Sequence, residues 1–589
     1  MSDPVLARSG GEPVAIRHGR WSAEVHGDEV AEIRVDGVRL LRAIRPVVRD
    51  ADWNTVEVRV VDQRRQPGAG LTLVTELIFE APGITYQATI RLVVEDDQLT
   101  VELAGRALAP FVRNRIGLVV LHPADDAGRP VQVHHSNQTS DVGHWPVEIS
   151  PHQPFRDVSG FAWSRDGVSA VLAFDGEVFE TEDQRNWTDA SFKTYSTPLD
   201  RPFPVAVELG EECRQQIRLT ARGRRTTPAP VGQDALVIGT AVVGVVPPVS
   251  LGAALYPAPT DLSGLSARAG AYDAVLVELT GPPARWPELL AAAAAQADAL
   301  DAPLDVRLVT GHPEVVRHTV RGLVGFRVAR LAAYSPDTHL TTAPLWQTLR
   351  EAARRHVPTA ELVGGTRAHF TELNRQQGRV PVEVATLTFS LTPQMHATEV
   401  PHLVDSLTTQ RTVIDNALRI AAGRPVHVGP ITLRRRFNAV ATTDPPDPAD
   451  EATAGTDPLL GTGFAAAWTL GSVAALAVPG VAGLSYFETA GPRGILADQA
   501  EPRPVSLVLD TVARWRGRSL LRVSCPPGTT ALATTGDDAA VEVLVANLTG
   551  HERTLPLRLA ADDADDADEA ITLAPWSVTA WSSRTTGRW

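Results

Sequence analysis

Cysteine and lysine are nearly missing from this chain of 589 residues. Cys213 and Cys525 are the only cysteines, too few for a disulfide framework or a cysteine cage around a metal. His134 and His135 are adjacent, and neither H-E-x-x-H nor C-x-x-C spacing occurs. We therefore expect no metal and no cofactor. The N-terminal segment MSDPVLARSGGEP lacks an apolar signal core, so we expect a cytoplasmic protein.

Positive charge is also scarce, because 55 basic residues face 69 acidic ones and give a formal net charge of -14. Such a chain repels phosphate backbones and anionic lipids, so we expect neither nucleic acid nor a membrane as partner. A G-x-S-x-G elbow is absent, and GTGF at 461–464 lacks the lysine of a phosphate-binding loop. The apolar run at 463–484 contains Pro479 and several glycines, which favours a buried helix over a membrane span. Oligomeric state has no signature in the sequence.

Lys193 is the single lysine beside 54 arginines. A background that replaces lysine by arginine leaves lysine where its compact ammonium group is needed, although a chance surface position is the alternative. Its surroundings, EDQRNWTDASFKTY at 182–195, mix aromatic rings with charged and amide groups, as sugar-binding sites do. From this stretch the predicted binding residues are Glu182, Arg185, Asn186, Trp187, Lys193 and Tyr195.

The hydrophobic pattern divides the chain into three predicted domains. Residues 1–232 contain short alternating runs separated by turns, which predict an antiparallel β-sandwich. Residues 233–518 alternate strand-like and helical runs, and eight candidate strands predict a (β/α)8 TIM barrel. These are VSLGAAL, DAVLVEL, DVRLVTG, FRVARLAAY, TAELVGG, VEVATLTF, VHVGPIT and GLSYFE. Residues 519–589 return to strand-like runs and predict a small C-terminal β domain, with ADDADDADE as a solvated loop.

In a TIM barrel the active site lies at the C-terminal ends of the strands. The residues that follow the fifth to eighth predicted strands are rich in polar groups: His369, Glu372, Asn374, His396, Arg436, Tyr486, Glu488 and Arg493. Two carboxylates across a barrel mouth suit hydrolysis, with Glu372 and Glu488 as catalytic candidates. A separation of about 5 Å would allow a retaining glycosidase mechanism, and one of about 7 Å or more would admit a water between them. The segment at 442–458, between the seventh and eighth strands, is either a lid or an insertion.

Seven segments in this order resemble the bacterial D-apionate lactonase family: RNRIGLVVLHP, EDQRNWTDASFKTY, GGTRAHFTELNR, TPQMHATE, ITLRRRFNA, AAWTLGS and YFETAGPRG. The resemblance implies hydrolysis of D-apionolactone to D-apionate in apiose catabolism, and a glycoside-hydrolase-like barrel flanked by β domains. It also implies a sugar-acid site at the stretch near Glu182 and at the FTELNR and YFET segments.

Our leading hypothesis is a lactonase acting on a small sugar lactone. One of Glu372 and Glu488 would activate water and the other would protonate the leaving ring oxygen, while Lys193, Arg185 and His396 hold hydroxyls or the oxyanion. The alternative is a retaining or inverting glycosidase that uses the same two glutamates. A third reading is a non-catalytic carbohydrate-binding protein.

Overall fold

The structure is a computed structural model that describes residues 13–68, 70–223, 234–441, 447–497, 500–536, 540–559 and 569–583. Three predicted features lie outside these ranges: the domain boundary at 232/233, residues 442–446 of the segment expected to be a lid or an insertion, and most of the ADDADDADE run. No described helix has both the length and the apolar character that crossing a membrane requires.

The first part of the chain forms an antiparallel β domain. Its strands are β1 (Val14–His18), β2 (Trp21–His26), β3 (Glu29–Val35), β4 (Val38–Arg49), β5 (Glu57–Gln66), β6 (Leu71–Ala81), β7 (Ile84–Val94), β8 (Gln98–Ala107), β9 (Phe111–Arg113), β10 (Arg115–Pro123), β11 (Pro130–His135), β12 (Ser140–His144), β13 (Phe155–Arg165), β14 (Val168–Asp175), β15 (Phe179–Asp183), β16 (Ser191–Tyr195), β17 (Val205–Val207) and β18 (Glu212–Gly223).

Sixteen of these strands form one continuous hydrogen-bonded sheet in the order β1-β2-β3-β4-β10-β16-β15-β13-β14-β18-β8-β7-β6-β5, with β11 paired to β13 and β12 paired to β11. Strands β9 and β17 pair separately. In β7 every second side chain is buried, as expected for a strand with one face on a core. Apolar residues from most of the sheet join in a single core. The antiparallel β prediction holds, with the strands linked in one sheet.

The central part of the chain is a closed parallel barrel. Its strands are β20 (Val249–Gly252), β21 (Val275–Leu279), β22 (Leu304–Val309), β23 (Val328–Tyr334), β24 (Glu361–His369), β25 (Thr386–Leu391), β26 (Val426–Ile431) and β27 (Val481–Ala490). Each pairs in parallel with the next, and β20 pairs with β27 to close the ring. Each of the eight strands overlaps one of the predicted runs. A short strand, β28 (Gly494–Leu496), extends the edge of β27.

Helices cover the outside of the barrel and one edge of its mouth. They are α1 (Ser263–Ser266), α2 (Trp286–Ala299), α3 (Pro313–Gly322), α4 (Ala343–His356), α5 (Phe370–Gln376), α6 (Val400–Ala421), α7 (Pro448–Ala454), α8 (Gly463–Leu476) and α9 (Pro504–Arg514). Almost every residue of α8 is buried, including Trp468, whose indole N–H donates to the Leu403 carbonyl. The apolar run at 463–484 therefore begins as the buried helix that was predicted.

A seven-stranded sheet lies beyond the barrel. It contains β29 (Ser519–Ser524), β30 (Thr529–Thr535), β31 (Val541–Asn547), β32 (Arg553–Leu559), β33 (Glu569–Leu573) and β34 (Val578–Ser582). Its remaining strand is β19 (Leu236–Val245), which pairs with β29 and β32. The prediction placed residues 236–245 with the barrel, whereas they complete the core of this C-terminal sheet with residues such as Leu236 and Ile238.

Candidate active site

Two cavities open at the C-terminal ends of the barrel strands. The larger, of about 310 Å³, lies between the N-terminal β domain and the barrel and is called the interdomain cavity. The smaller, of about 120 Å³, lies over the barrel mouth and is called the barrel-mouth cavity. None of the described residues lines both. Active sites of TIM barrels lie at this end of the strands, so both cavities are candidates.

One face of the N-terminal sheet forms the first wall of the interdomain cavity. Strand β10 pairs with β4 and with β16, and β16 pairs with β15. This register places Lys193 opposite Leu121 on one side and opposite Glu182 on the other. Because alternate residues of a strand share a face, Arg45, Val47 and Arg49 of β4 line the same wall.

Lys193 and Glu182 form an ion pair on this wall, between Nζ and Oε1. Their side chains are only 13% and 11% exposed. The ammonium group also lies 4.9 Å from the centre of the Tyr195 ring, a cation–π contact. Burial lowers the pKa of Lys193. For Glu182, the charge and hydrogen bond of Lys193, together with other nearby cations, outweigh burial and hold its pKa below the usual range. Lys193 is therefore a buried and paired group, and the chance surface position is excluded.

A short turn before β16 adds an aromatic ring and a histidine partner. The Asp183 side chain accepts from the Arg185 backbone N–H and starts a 3-10 turn over Gln184–Trp187. Asp189, just after it, lies 2.7 Å from Nδ1 of His396. A carboxylate only accepts, so Nδ1 carries the proton and Nε2 of the neutral ring is an acceptor. Burial lowers the pKa of His396, although Asp189 opposes this.

Glu372 and His369 form the barrel side of the cavity. Strand β24 ends at His369 and α5 begins at the next residue, which places Glu372 in the first turn of that helix. Glu372 is 9% exposed, and burial raises its pKa to about 7. Burial also lowers the pKa of His369 to about 3, so its imidazole is neutral. Neither Glu372 Oε2 nor His369 Nε2 has a hydrogen-bond partner among the described residues. Two buried polar atoms are thus available to a ligand.

The barrel-mouth cavity holds a different set of charges. Glu488 is paired with Arg493 at 2.5 Å, and burial raises the pKa of Glu488 to about 7 despite that arginine. Glu278 accepts from both Arg367 and Arg436, which outweigh burial and hold its pKa far below the usual range. Helix α7 belongs to the segment at 442–458 that the sequence left open as a lid or an insertion, and it lines this cavity with Pro448, Glu451 and Ala452. Within the described ranges no cluster of His, Cys, Asp or Glu has a metal-binding arrangement.

Three predicted binding residues, Arg185, Asn186 and Asn374, line neither cavity, and the last two join the two domains. Arg185 is buried, pairs with Asp183, and donates to backbone carbonyls at 146–148. The Asn374 amide, on α5, donates to the Asn186 side chain at 2.9 Å and to the Ile149 carbonyl at 3.0 Å. Tyr486, a fourth, also lines neither cavity, and its hydroxyl lies 2.8 Å from that of Ser472 on helix α8.

Comparison with known proteins follows the same division into domains. The family model described as "D-apionate lactonase, N-terminal domain" matches residues 6–224, and "D-apionate lactonase, TIM barrel domain" matches residues 267–517. The chain belongs to the D-apionate lactonase family. A D-apionate lactonase from Brucella anthropi is 26% identical over 609 aligned positions, which cover 96% of this chain and 96% of that protein.

Solved structures that are similar to this chain at low sequence identity include a xylanase and SrfJ. One is a glycoside hydrolase family 30 subfamily 8 xylanase from Clostridium acetobutylicum, 9% identical, covering 59% of this chain and 99% of that one, with a TM-score of 0.41. The other is SrfJ from Salmonella typhimurium, 10% identical, covering 66% of this chain and 98% of that one, with a TM-score of 0.39.

The segments by which the D-apionate lactonase family was recognised contribute to both cavities. The interdomain cavity receives Glu182, Trp187, Lys193, Tyr195, His369, Glu372 and His396. The barrel-mouth cavity receives Arg436, Glu488 and Arg493. Glu372 and Glu488 therefore do not share a cavity, contrary to the expectation that both would meet around Lys193. The reason is local: the first turn of α5 faces the β domain, whereas the end of β27 is held by Arg493 next to β28.

The sequence analysis did not identify the arginines that line the interdomain cavity or Glu278, which lines the barrel-mouth cavity. Arg42, Arg45 and Arg49 come from β4, far from any segment that carried a motif. Arg375 and Arg435 stand inside the recognised segments FTELNR and LRRRFN but were not singled out. The three neighbouring arginines at 434–436 were the available signal.

Asn374→Ala tests the bridging role of α5 in this member of the D-apionate lactonase family. The change leaves the buried Ile149 carbonyl and Asn186 amide oxygen without their donor. We expect the free energy of unfolding to fall by about 1–3 kcal/mol, with the KM for lactone unchanged. Urea denaturation and lactone kinetics measure the two effects. A raised KM with unchanged stability would place Asn374 in substrate binding instead.

Proposed function

We propose that the chain hydrolyses a sugar-acid lactone, D-apionolactone to D-apionate, in the interdomain cavity. The observation that carries this proposal is that one cavity is lined both by Glu372, whose buried Oε2 has no partner among the described residues, and by Lys193, the single lysine of the sequence. Support also comes from the relative that bears the name D-apionate lactonase and aligns with nearly the whole chain.

Glu372 is the proposed general base. Its pKa of about 7 lets a large fraction of the carboxylate be ionised at neutral pH and still take up a proton readily. The carboxylate takes a proton from water as the water oxygen bonds to the lactone carbonyl carbon. The tetrahedral alkoxide then collapses, the bond from carbon to ring oxygen breaks, and Glu372 returns the proton to that oxygen. The carboxylic acid so formed ionises and releases one proton to solvent.

Lys193 is the proposed oxyanion stabiliser. The carbonyl oxygen gains a full negative charge in the tetrahedral intermediate, and a preorganised cation in a desolvated cavity stabilises that charge strongly. The Glu182 carboxylate and the Tyr195 ring fix the position of the ammonium group before substrate binds. An arginine has a wider, planar head group and would not fit the same contacts.

Sugar hydroxyls have partners on the remaining wall. Nε2 of His396 accepts a hydroxyl hydrogen because Asp189 holds the proton on Nδ1. His369 has a free Nε2 as well. The Trp187 ring, covered on one side by the Arg375 guanidinium at 5.0 Å, offers a flat apolar surface to C–H groups. These groups suit a small polyhydroxylated ring.

The glycosidase alternative requires two carboxyl groups that flank the same glycosidic bond. Glu372 and Glu488 line separate cavities, so the geometry gives that scheme no support. A panel of aldonolactones and nitrophenyl glycosides separates the three hypotheses. We expect proton release from lactones, D-apionolactone above all, and no nitrophenol. Nitrophenol release without lactone opening would establish the glycosidase, and sugar binding without either product would establish a binding protein.

The pH dependence of kcat/KM follows from the raised pKa of Glu372. A general base works only when ionised, so activity is low below that pKa, rises through about pH 7 and levels off above it. Initial rates between pH 5 and 8.5, after subtraction of the spontaneous lactone opening, measure the curve. Glu488→Gln is the matched control, since it removes the other carboxyl with a similar pKa and leaves the rise in place. A flat profile would rule out Glu372 as the base.

A further inference from the structure

Arginines are crowded around the interdomain cavity, and some have no acid beside them. Arg42 is paired with Asp405, and Arg45 with Asp28, Glu29 and Glu399. Arg49, Arg115, Arg375 and Arg435 also line the cavity, and among the described residues none of these four makes an ion pair. The cavity therefore contains more fixed positive charge than its own carboxylates neutralise.

Two of these arginines are held close together by one loop. Arg49, at the end of β4, donates to the Trp53 carbonyl at 3.1 Å. Arg435, after β26, donates to the Asn54 side chain at 2.7 Å. Each guanidinium uses one of its nitrogens in this way, and each keeps further N–H groups for the cavity. The loop at 53–54 thus aligns one arginine from the β domain with one from the barrel.

Electrostatics make this arrangement costly without an anion. Burial, together with the charges of Arg45 and Arg435, lowers the pKa of Arg49 to about 10, although Glu182 opposes them. Burial lowers the pKa of Arg435 as well. Two desolvated guanidinium groups that repel each other gain most from a ligand carrying negative charge, and a planar carboxylate matches their fork of donors.

We infer that Arg49 and Arg435 form a carboxylate subsite for the ring-opened sugar acid. The inference rests on the proposed function, because hydrolysis of a neutral lactone creates this carboxylate inside the cavity. The subsite makes the cavity selective for aldonates over neutral polyols of the same size, and it makes the product acid a competitive inhibitor. Burial and the charge of Arg49 both lower the pKa of Lys193. Lys193 stabilises the oxyanion during hydrolysis, and the subsite then receives the carboxylate that forms from it.

Isothermal titration calorimetry on the full chain tests the subsite with D-apionate, D-xylonate and the neutral polyol xylitol. We expect both acids to bind at least about tenfold more tightly than xylitol. Arg49→Gln and Arg435→Gln should each weaken acid binding by roughly tenfold to a hundredfold and leave xylitol binding unchanged. Arg59→Gln, at a side chain that is 62% exposed on β5, is the matched control and should change neither.

Equal binding of D-xylonate and xylitol, or unchanged acid binding in both cavity variants, would overturn the inference. Thermal unfolding checks that each variant is folded, and two independent positions keep the test valid if one fails to fold. Lactone turnover, measured on the same samples, separates this inference from the proposed function. Acid binding that depends on Arg49 without any lactone turnover would refute the lactonase proposal and keep the subsite. Lactone turnover with no preference for acids would support the lactonase proposal and refute the carboxylate subsite.

Discussion

Glu372→Gln lowers kcat on a competent lactone by about a thousandfold, with a much smaller effect on KM. Glutamine keeps the size of the side chain and cannot accept the water proton, so the loss corresponds to removal of a general base, for which about 10²- to 10⁴-fold is usual. The residue is buried at the first turn of α5, where burial rather than a neighbouring charge raises its pKa. Stopped-flow or pH-indicator assays of lactone opening measure the effect.

Glu488→Gln is the matched comparison for that experiment. Glu488 is 18% exposed, has a similarly raised pKa and is paired with Arg493 in the other cavity. Its amide oxygen can still accept from Arg493, and we expect kcat to stay within about fivefold of the parent chain. A thousandfold loss in Glu488→Gln with near-normal turnover in Glu372→Gln would move the active site to the barrel mouth.

Lys193→Met has the second largest expected effect, a fall in kcat of about a hundredfold to a thousandfold. Methionine fills a similar volume and carries no charge, so the oxyanion loses its cation. The same change leaves Glu182 buried without its partner, which costs about 3–5 kcal/mol of folding free energy for a buried pair. Lys193→Arg keeps the charge in the wrong shape and should also lower kcat, by about tenfold.

A double variant separates catalysis from stability. Lys193→Met together with Glu182→Gln removes both charges and so avoids the unpaired carboxylate. We expect thermal unfolding of this variant to return towards that of the parent chain while lactone turnover stays low. Recovery of turnover in the double variant would show that Lys193 acts only by neutralising Glu182.

Much of the fold could be predicted because local patterns decide it. The barrel runs, such as DAVLVEL and VHVGPIT, consist mainly of apolar residues, as is typical of parallel strands that are covered by helices. The place of β19 could not be predicted in the same way. Its alternation identifies a strand, but its partners β29 and β32 lie about 270 to 320 residues further along the chain. Periodicity describes a strand and does not identify its neighbour.

In the candidate site, too, local sequence patterns did not predict which side chains would lie together. The rarity of lysine and the mixed composition around Lys193 pointed to a sugar-binding site. The structure places Lys193 on the wall of the interdomain cavity, and its role in binding stays a prediction. Arg185 and Asn186, in the same segment, instead donate to backbone carbonyls at 146–150 of the β domain. Glu372 and Glu488 were both expected at one mouth because strand ends in a barrel meet there. The direction of the following turn, towards the β domain or towards β28, depends on contacts that no local pattern contains.

A crystal structure of the Glu372→Gln variant soaked with D-apionolactone or D-apionate tests the central claim most directly. The claim is that chemistry takes place between the two domains. We expect the ligand in the interdomain cavity, with its carbonyl or carboxylate group near Lys193, Arg49 and Arg435 and its ring on Trp187. A ligand bound instead over the barrel mouth, in contact with Glu488 and Arg493, would contradict the account.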